Sequence, residues 1–325
     1  MLTVVKPGLE TTVQDWPGLK GGFRYGFNHS GAIDHWSFRV ANLLVGNEPG
    51  AAGLEAQFIG PTLRFEHDGW FAVTGADMAP TLDGTPVPQW QTVAAQAGQE
   101  LAIGSAVTGA RGYIAFAGGI AATPFLGSCA THTMAEAGGL TGRKLDAGDE
   151  LPLHATDAPA PKRAPEAMRP TFPADGHWEI EVVLGPSDDW VSDDGHALFL
   201  GTDWGVSPRS NRMGVRLEGP EMLFADRATN KAPEQGSHPS NCVDIGYPFG
   251  GINLCGDTPI VLLNEGLTLG GFIVPWTVPT AALAKVGQAR PNEVFRFRAV
   301  SVAEAQAMRR AVNEICQPEY LVPAG

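Results

Sequence analysis

Short runs in which apolar and polar residues alternate, each closed by glycine or proline, make up most of the chain. LTVVK and ETTVQ flank Pro7-Gly8 and read as two strands. From residue 62 to 117 the runs TLRFEHDGWFAVTGA, QELAIG and ARGYIAFAGGI continue the two-residue period, and Asp83-Gly84 is a hairpin signal between them. Such a meander is expected to curl into a barrel or sandwich. A second β-rich set starts at HWEIEVVLGP and resumes in TPIVLLNEGLTLGGFIVPWTVP and VFRFRAV. The helical period appears clearly twice. In DHWSFRVANLLVGN, Asp34 is placed to cap, Trp36, Val40, Leu43 and Leu44 share a face, and Gly46 closes the helix. In SVAEAQAMRRAVNEIC, Ser301 and Glu304 form a capping box. A short helix is expected at 280–286. The pattern is that of a mainly β protein with a few helices.

Length changes this picture by suggesting two lobes, because 325 residues exceed one ordinary core. Residues 155–175 hold several prolines and little periodicity, which predicts an N-terminal β-rich lobe at 1–154, a Pro-rich linker at 155–175 and a C-terminal β-rich lobe at 176–325. A net charge of -13 with no basic stripe argues against nucleic acid as a partner. No apolar run reaches the length needed to cross a bilayer, and the first residues lack the charged and apolar regions of a secretory signal; a cytoplasmic protein is expected. Cys129, Cys242, Cys255 and Cys316 show no C-x-x-C spacing and the histidines no H-E-x-x-H pair, so reduced thiols and no bound metal are expected.

No phosphate-binding loop or dinucleotide fingerprint is present, so nucleotide chemistry is expected elsewhere. His29 and Ser30 are adjacent and poorly placed to aim at each other, and Asp15 and Asp77, which could serve as bases, read more readily as turn caps. The chemistry concentrates in residues 207–272, where Ser207, Arg209, Asn211, Arg212, Asn241, Asp244, Asn253 and Asp257 stand among glycines and prolines. Two readings are open for these residues. They either lock loops together through amide and guanidinium hydrogen bonds, or frame a small planar polar ligand such as an amide or ureido group.

The motifs TTVQD, SGAID, RVANLLVGN, VTGAD, YIAFAGGI, GGLTGRKLDAGD, VSPRSNRMGVRLEGP and GDTPIVLL together resemble the biotin-dependent carboxyltransferase family, which includes allophanate hydrolase subunit 2 and the C component of 5-oxoprolinase. HPSNCVDIGYPFGGINLCGDTPIVLL and KVGQARPNE look closest to the carboxyltransferase domain of urea carboxylase, the first half of urea amidolyase, whereas LTLGGFIVPWTVP departs from both patterns. The resemblance implies two cyclophilin-like β-barrel lobes and transfer of a carboxyl group from carboxybiotin to a nitrogen of urea or a related small amide. The alternatives it implies are the C component of a 5-oxoprolinase and a non-catalytic partner of a kinase-inhibitor-like protein. It further implies a sister subunit of similar fold, without which the chain is inactive, and a biotin carboxylase with a biotin carrier that use ATP, Mg and bicarbonate, none of them bound here. Asn241, Asn211 and Arg212 are then expected at the reacting groups, and Ser207, Arg209, Asn253, Asp244 and Asp257 at the substrate or biotin.

Overall fold

A computed structural model describes residues 1–324. Most of the regular structure is strand, with five α-helices among the described residues, His35–Leu44, Asp193–Gly201, Asp226–Thr229, Leu283–Gln288 and Val302–Ile315. It divides into two compact units. One comprises Met1–Gly22, His29–Phe172 and the residues from Val312 on; the other comprises Phe23–Asn28 and Pro173–Ala311.

In the first unit the strands form a six-stranded and a five-stranded sheet. Alternate residues of both sheets, among them Leu2, Val4, Val13, Leu54, Leu63, Phe71, Val73 and Ile114, meet in one buried core. The turn Asp83-Gly84 takes positive φ at both residues, as a two-residue hairpin requires, and joins Thr81–Leu82 to Thr85–Pro86. The helix His35–Leu44 starts where predicted: Asp34 Oδ1 accepts from Ser37 N at 3.0 Å and Oδ2 from Ser37 Oγ at 2.6 Å. Lys162–Arg163 pairs with Val322–Pro323, and Ala164 and Met168 are fully buried, so the proline-rich segment is folded into this unit as far as Phe172.

The second unit contains a closed barrel of seven strands. The closure joins the strand His177–Leu184 to the strand Val294–Ala299 in parallel, with Ile180 opposite Phe297. Phe199 fills the interior by stacking on Trp276 at 3.8 Å and on Phe297 at 4.5 Å between ring centroids. Beside the barrel a two-stranded ribbon pairs Asn241–Gly246 with Leu269–Phe272. The capping box of the last helix is formed, Ser301 N and Oγ both donating to Glu304 Oε2 at 2.7 Å.

Candidate functional site

The motif SPRSNRMG is the connection between two barrel strands, Asp203–Val206 and Gly214–Glu218. Its serines lock it: Ser210 Oγ donates to Ser207 O at 2.7 Å and accepts from Arg216 N at 3.1 Å, and Ser207 N donates to Arg216 O at 2.9 Å. Asn211 is exposed, and its Oδ1 accepts from Met213 N at 2.8 Å, which makes it the side-chain tie of a tight turn. Arg212 points inward. Its Nε donates to Glu265 Oε1 at 2.5 Å, and both side chains are almost completely buried. Its backbone carbonyl also accepts from Glu265 N at 3.1 Å, and Met213 O accepts from Leu263 N at 3.0 Å, so this motif and the turn 263–266 are joined repeatedly.

Ser207, Arg209 and Asp257, three of the residues singled out in the sequence, line one hollow of about 240 Å³ together with Arg216, Glu218, Glu221 and Thr258. Neither Arg209 nor Arg216 has an ion-pair partner among the described residues. Asp257 Oδ1 accepts from Met222 N at 3.2 Å, and Oδ2 stands 3.7 Å from His238 Nε2.

His238 opens the run HPSN, and the whole turn is built to hold it. Its backbone N–H donates to Asn241 Oδ1 at 3.1 Å, and its carbonyl accepts from Asn241 N at 2.9 Å and from Lys231 Nζ. Lys231 Nζ also donates to Asn241 O at 2.6 Å, and burial pushes this amine below its ordinary value. On the ring, Nδ1 accepts from Ser240 N at 3.2 Å and faces Ser240 Oγ at 2.9 Å. Phe224 packs edge-on against the imidazole, 5.7 Å between centroids. Gly236 takes positive φ, and a Cβ there would sit 2.8 Å from Asn241 Cβ and Oδ1; only glycine lets the turn close.

Asp244 lies in the ribbon and Asn253 on a strand of the barrel. Asp244 lines a second hollow of about 580 Å³ with Phe23, Tyr247, Thr268 and Leu269. Asn253 is buried in the strand Gly251–Cys255, hydrogen-bonds the Tyr247 phenol, and leaves Oδ1 without a partner. Burial raises the Tyr247 phenol above its ordinary value, opposed by the hydrogen bonds from Phe272 N–H and Asn253. The eight residues therefore divide. Ser207, Arg209 and Asp257 share a hollow and Asn241 clamps the histidine beside it, whereas Asp244 lines a second hollow and Arg212 is engaged in a buried ion pair.

Sequence reasoning passed over His238 and Asn28. The signal for His238 was its spacing, two residues before Ser240 and three before Asn241, which permits the turn just described. Asn28 had no local signal, since its Nδ2 donates to Gly266 O at 3.0 Å across 238 positions. Among the described residues no cluster of His, Cys, Asp and Glu has the arrangement of a metal site, and no helix is long and apolar enough to cross a membrane.

Residues 25–299 match the model of the carboxyltransferase domain, subdomain A and B. Over 317 residues the chain is 35% identical to urea amidolyase of Saccharomyces cerevisiae, covering 95% of this chain and 17% of that protein. It is 34% identical to the C component of 5-oxoprolinase from Escherichia coli, covering 95% of this chain and 94% of that one. The crystal structure of Kluyveromyces lactis urea carboxylase superposes with a TM-score of 0.91 and 34% identity, over 100% of this chain and 30% of that one. The chain thus spans only a small part of its urea amidolyase relatives and nearly all of the 5-oxoprolinase component. With most of its length matched by one family model and a full-length relative above 30% identity, the chain belongs to the carboxyltransferase family of subdomains A and B.

Proposed function

We propose that this chain is one part of a carboxyltransferase that moves a carboxyl group from carboxybiotin to a nitrogen of urea or a related small amide, acting with a sister subunit of similar fold. The observation that carries this reading is its likeness, over the whole chain, to urea carboxylase at 34% identity. The hollow beside Asp257 supports it chemically. Arg209 and Arg216 bring guanidinium donors, and Glu218, Glu221 and Asp257 bring acceptors, to one small space. That mixture suits a ligand presenting both C=O and N–H, and the unpaired guanidiniums suit a carboxylated, anionic one.

Biotin, borne on a carrier and carboxylated by an ATP- and Mg-dependent biotin carboxylase that uses bicarbonate, supplies the carboxyl group. The share of this chain is positional. The serine-locked loop 207–213 fixes the backbone that carries Arg209, and Asp257 is held through Oδ1 by Met222 N–H, which leaves Oδ2 to a ligand. Holding two reacting groups in contact and out of bulk water is worth about 7–11 kcal/mol of barrier when the alignment is good. Charge developing on a ureido oxygen is stabilised by donors already in place.

The experiment is co-expression with a biotin carboxylase, a biotin carrier and the sister subunit, followed by ATP- and bicarbonate-dependent turnover on urea, guanidine-like compounds and 5-oxoproline. Turnover of urea or a small amide supports the reading. Turnover of 5-oxoproline alone favours the second reading, a 5-oxoprolinase component, to which the 34% identity across nearly the whole Escherichia coli protein points. No turnover, with a kinase-inhibitor-like protein as the binding partner, removes both.

A further inference from the structure

The Nδ1 of His238 accepts from the backbone N–H of Ser240 at 3.2 Å. A backbone amide is a donor and nothing else, so this contact places the proton of the neutral ring on Nε2. Ser240 Oγ reinforces it: it accepts from Gly256 N at 3.2 Å, which turns its own hydrogen toward Nδ1 at 2.9 Å. Asp257 Oδ2 stands beside Nε2. At 3.7 Å the two are neighbours but too far apart for a hydrogen bond, so the N–H is not consumed by the carboxylate. Both side chains are about two-fifths exposed, 39% and 41%. Asp257 Oδ1 is occupied by Met222 N–H, which leaves Oδ2 as the outward acceptor.

A fixed N–H donor and a fixed carboxylate acceptor therefore stand side by side. This pair is complementary to the edge of an amide that carries C=O and N–H on the same side: the carbonyl oxygen accepts from Nε2–H while the amide N–H donates to Oδ2. We infer that His238 and Asp257 form the recognition edge for a cis amide or ureido group, and that this edge sets the substrate class. A guanidinium has no acceptor to offer Nε2–H: it can engage only the carboxylate half of the edge, presents N–H donors to the histidine half, and is disfavoured there. This deepens the carboxyltransferase reading and rests on it for the ligands considered. The same chemistry is carried by a free substrate such as urea and by the ureido ring of biotin. Asn241 acts here as a positioning residue, holding the backbone of His238 at both N–H and C=O.

The test is imidazole nitrogen NMR on the full chain, labelled at histidine, titrated separately with urea, with biotin and with non-denaturing guanidinium. Before any ligand, His238 is expected as the Nε2–H tautomer. Its Nε2 signal is expected to move saturably with urea or with biotin and not with guanidinium; which of the two moves it identifies free substrate or carried ring. His238→Ala and Asp257→Asn are each expected to weaken that binding at least about tenfold with an unchanged melting curve. The second variant keeps Oδ1 for Met222 N–H and replaces the outward acceptor by a donor. An Nδ1–H tautomer, no saturable response to either ureido probe, or an equal response to guanidinium overturns the inference. Urea turnover by the assembled enzyme without a His238 response overturns it while leaving the carboxyltransferase reading intact; a His238 response without turnover on any amide does the reverse.

Discussion

Two base–carboxylate pairs in the second unit differ in almost every physical respect. Arg212 and Glu265 are in contact at 2.5 Å with side chains 4% and 0% exposed, whereas His238 and Asp257 stand 3.7 Å apart and are two-fifths open to solvent. In the first pair each group is the other's partner, buried away from solvent. In the second, the backbone fixes both groups but leaves the facing atoms uncommitted. Charge in a motif therefore says little about chemistry until it is known whether the charge has already been satisfied. Arginine is the more conspicuous residue in the sequence, and histidine the more available one in the fold.

This contrast is sharpest in stability. Arg212→Ala leaves the Glu265 carboxylate buried without the guanidinium, and is expected to cost about 3–5 kcal/mol in denaturant unfolding. Asp257→Ala is expected to cost about 1 kcal/mol, since it removes the hydrogen bond from Met222 N–H but breaks no buried ion pair. Equal losses from the two variants would end the distinction. The thiols carry the same contrast of buried against open groups. Burial pushes the Cys316 thiol up to about 11, and its thiolate fraction near neutral pH falls about a hundredfold below that of an ordinary cysteine. Cys316 is expected to be the last cysteine alkylated by iodoacetamide in the native protein, read by mass spectrometry, and early labelling would show that its surroundings open.

Asn241→Ala removes one hydrogen bond from the backbone N–H of His238, a loss of about 1 kcal/mol. In the assembled enzyme it is expected to lower turnover about tenfold with assembly intact; unchanged turnover would detach the HPSN turn from the chemistry. Asn211→Ala has the smallest expected effect, below about 1 kcal/mol in thermal unfolding, because an exposed side chain tied to Met213 N is lost. A fall in turnover with no change in stability would instead make Asn211 a ligand contact.

What the sequence revealed was local. Asp34 capping its helix, Ser301 with Glu304, and the Asp83-Gly84 hairpin were all readable because each joins residues at most five apart. The barrel closure was not, since His177–Leu184 and Val294–Ala299 pair in parallel across more than a hundred residues. The site divides along the same line. The stretch 207–272 was recognisable as polar groups on bendable backbone, but Arg212 meets Glu265 across 53 positions and Asn28 meets Gly266 across 238, distances at which one sequence gives no pairing information. The role of Asn241 was obscured for a different reason. An asparagine that binds an amide ligand and one that binds the protein's own amides use the same atoms, and the contact to His238 N becomes visible only in the fold.

The most direct test of the account is turnover by the chain assembled with biotin carboxylase, carrier and sister subunit, measured on urea, 5-oxoproline and guanidinium side by side. Carboxylation of urea or a related amide that depends on ATP and bicarbonate, falls about tenfold in Asn241→Ala, and does not occur with guanidinium is the predicted result. Guanidinium carboxylated as fast as urea, or full activity in Asn241→Ala, would contradict it.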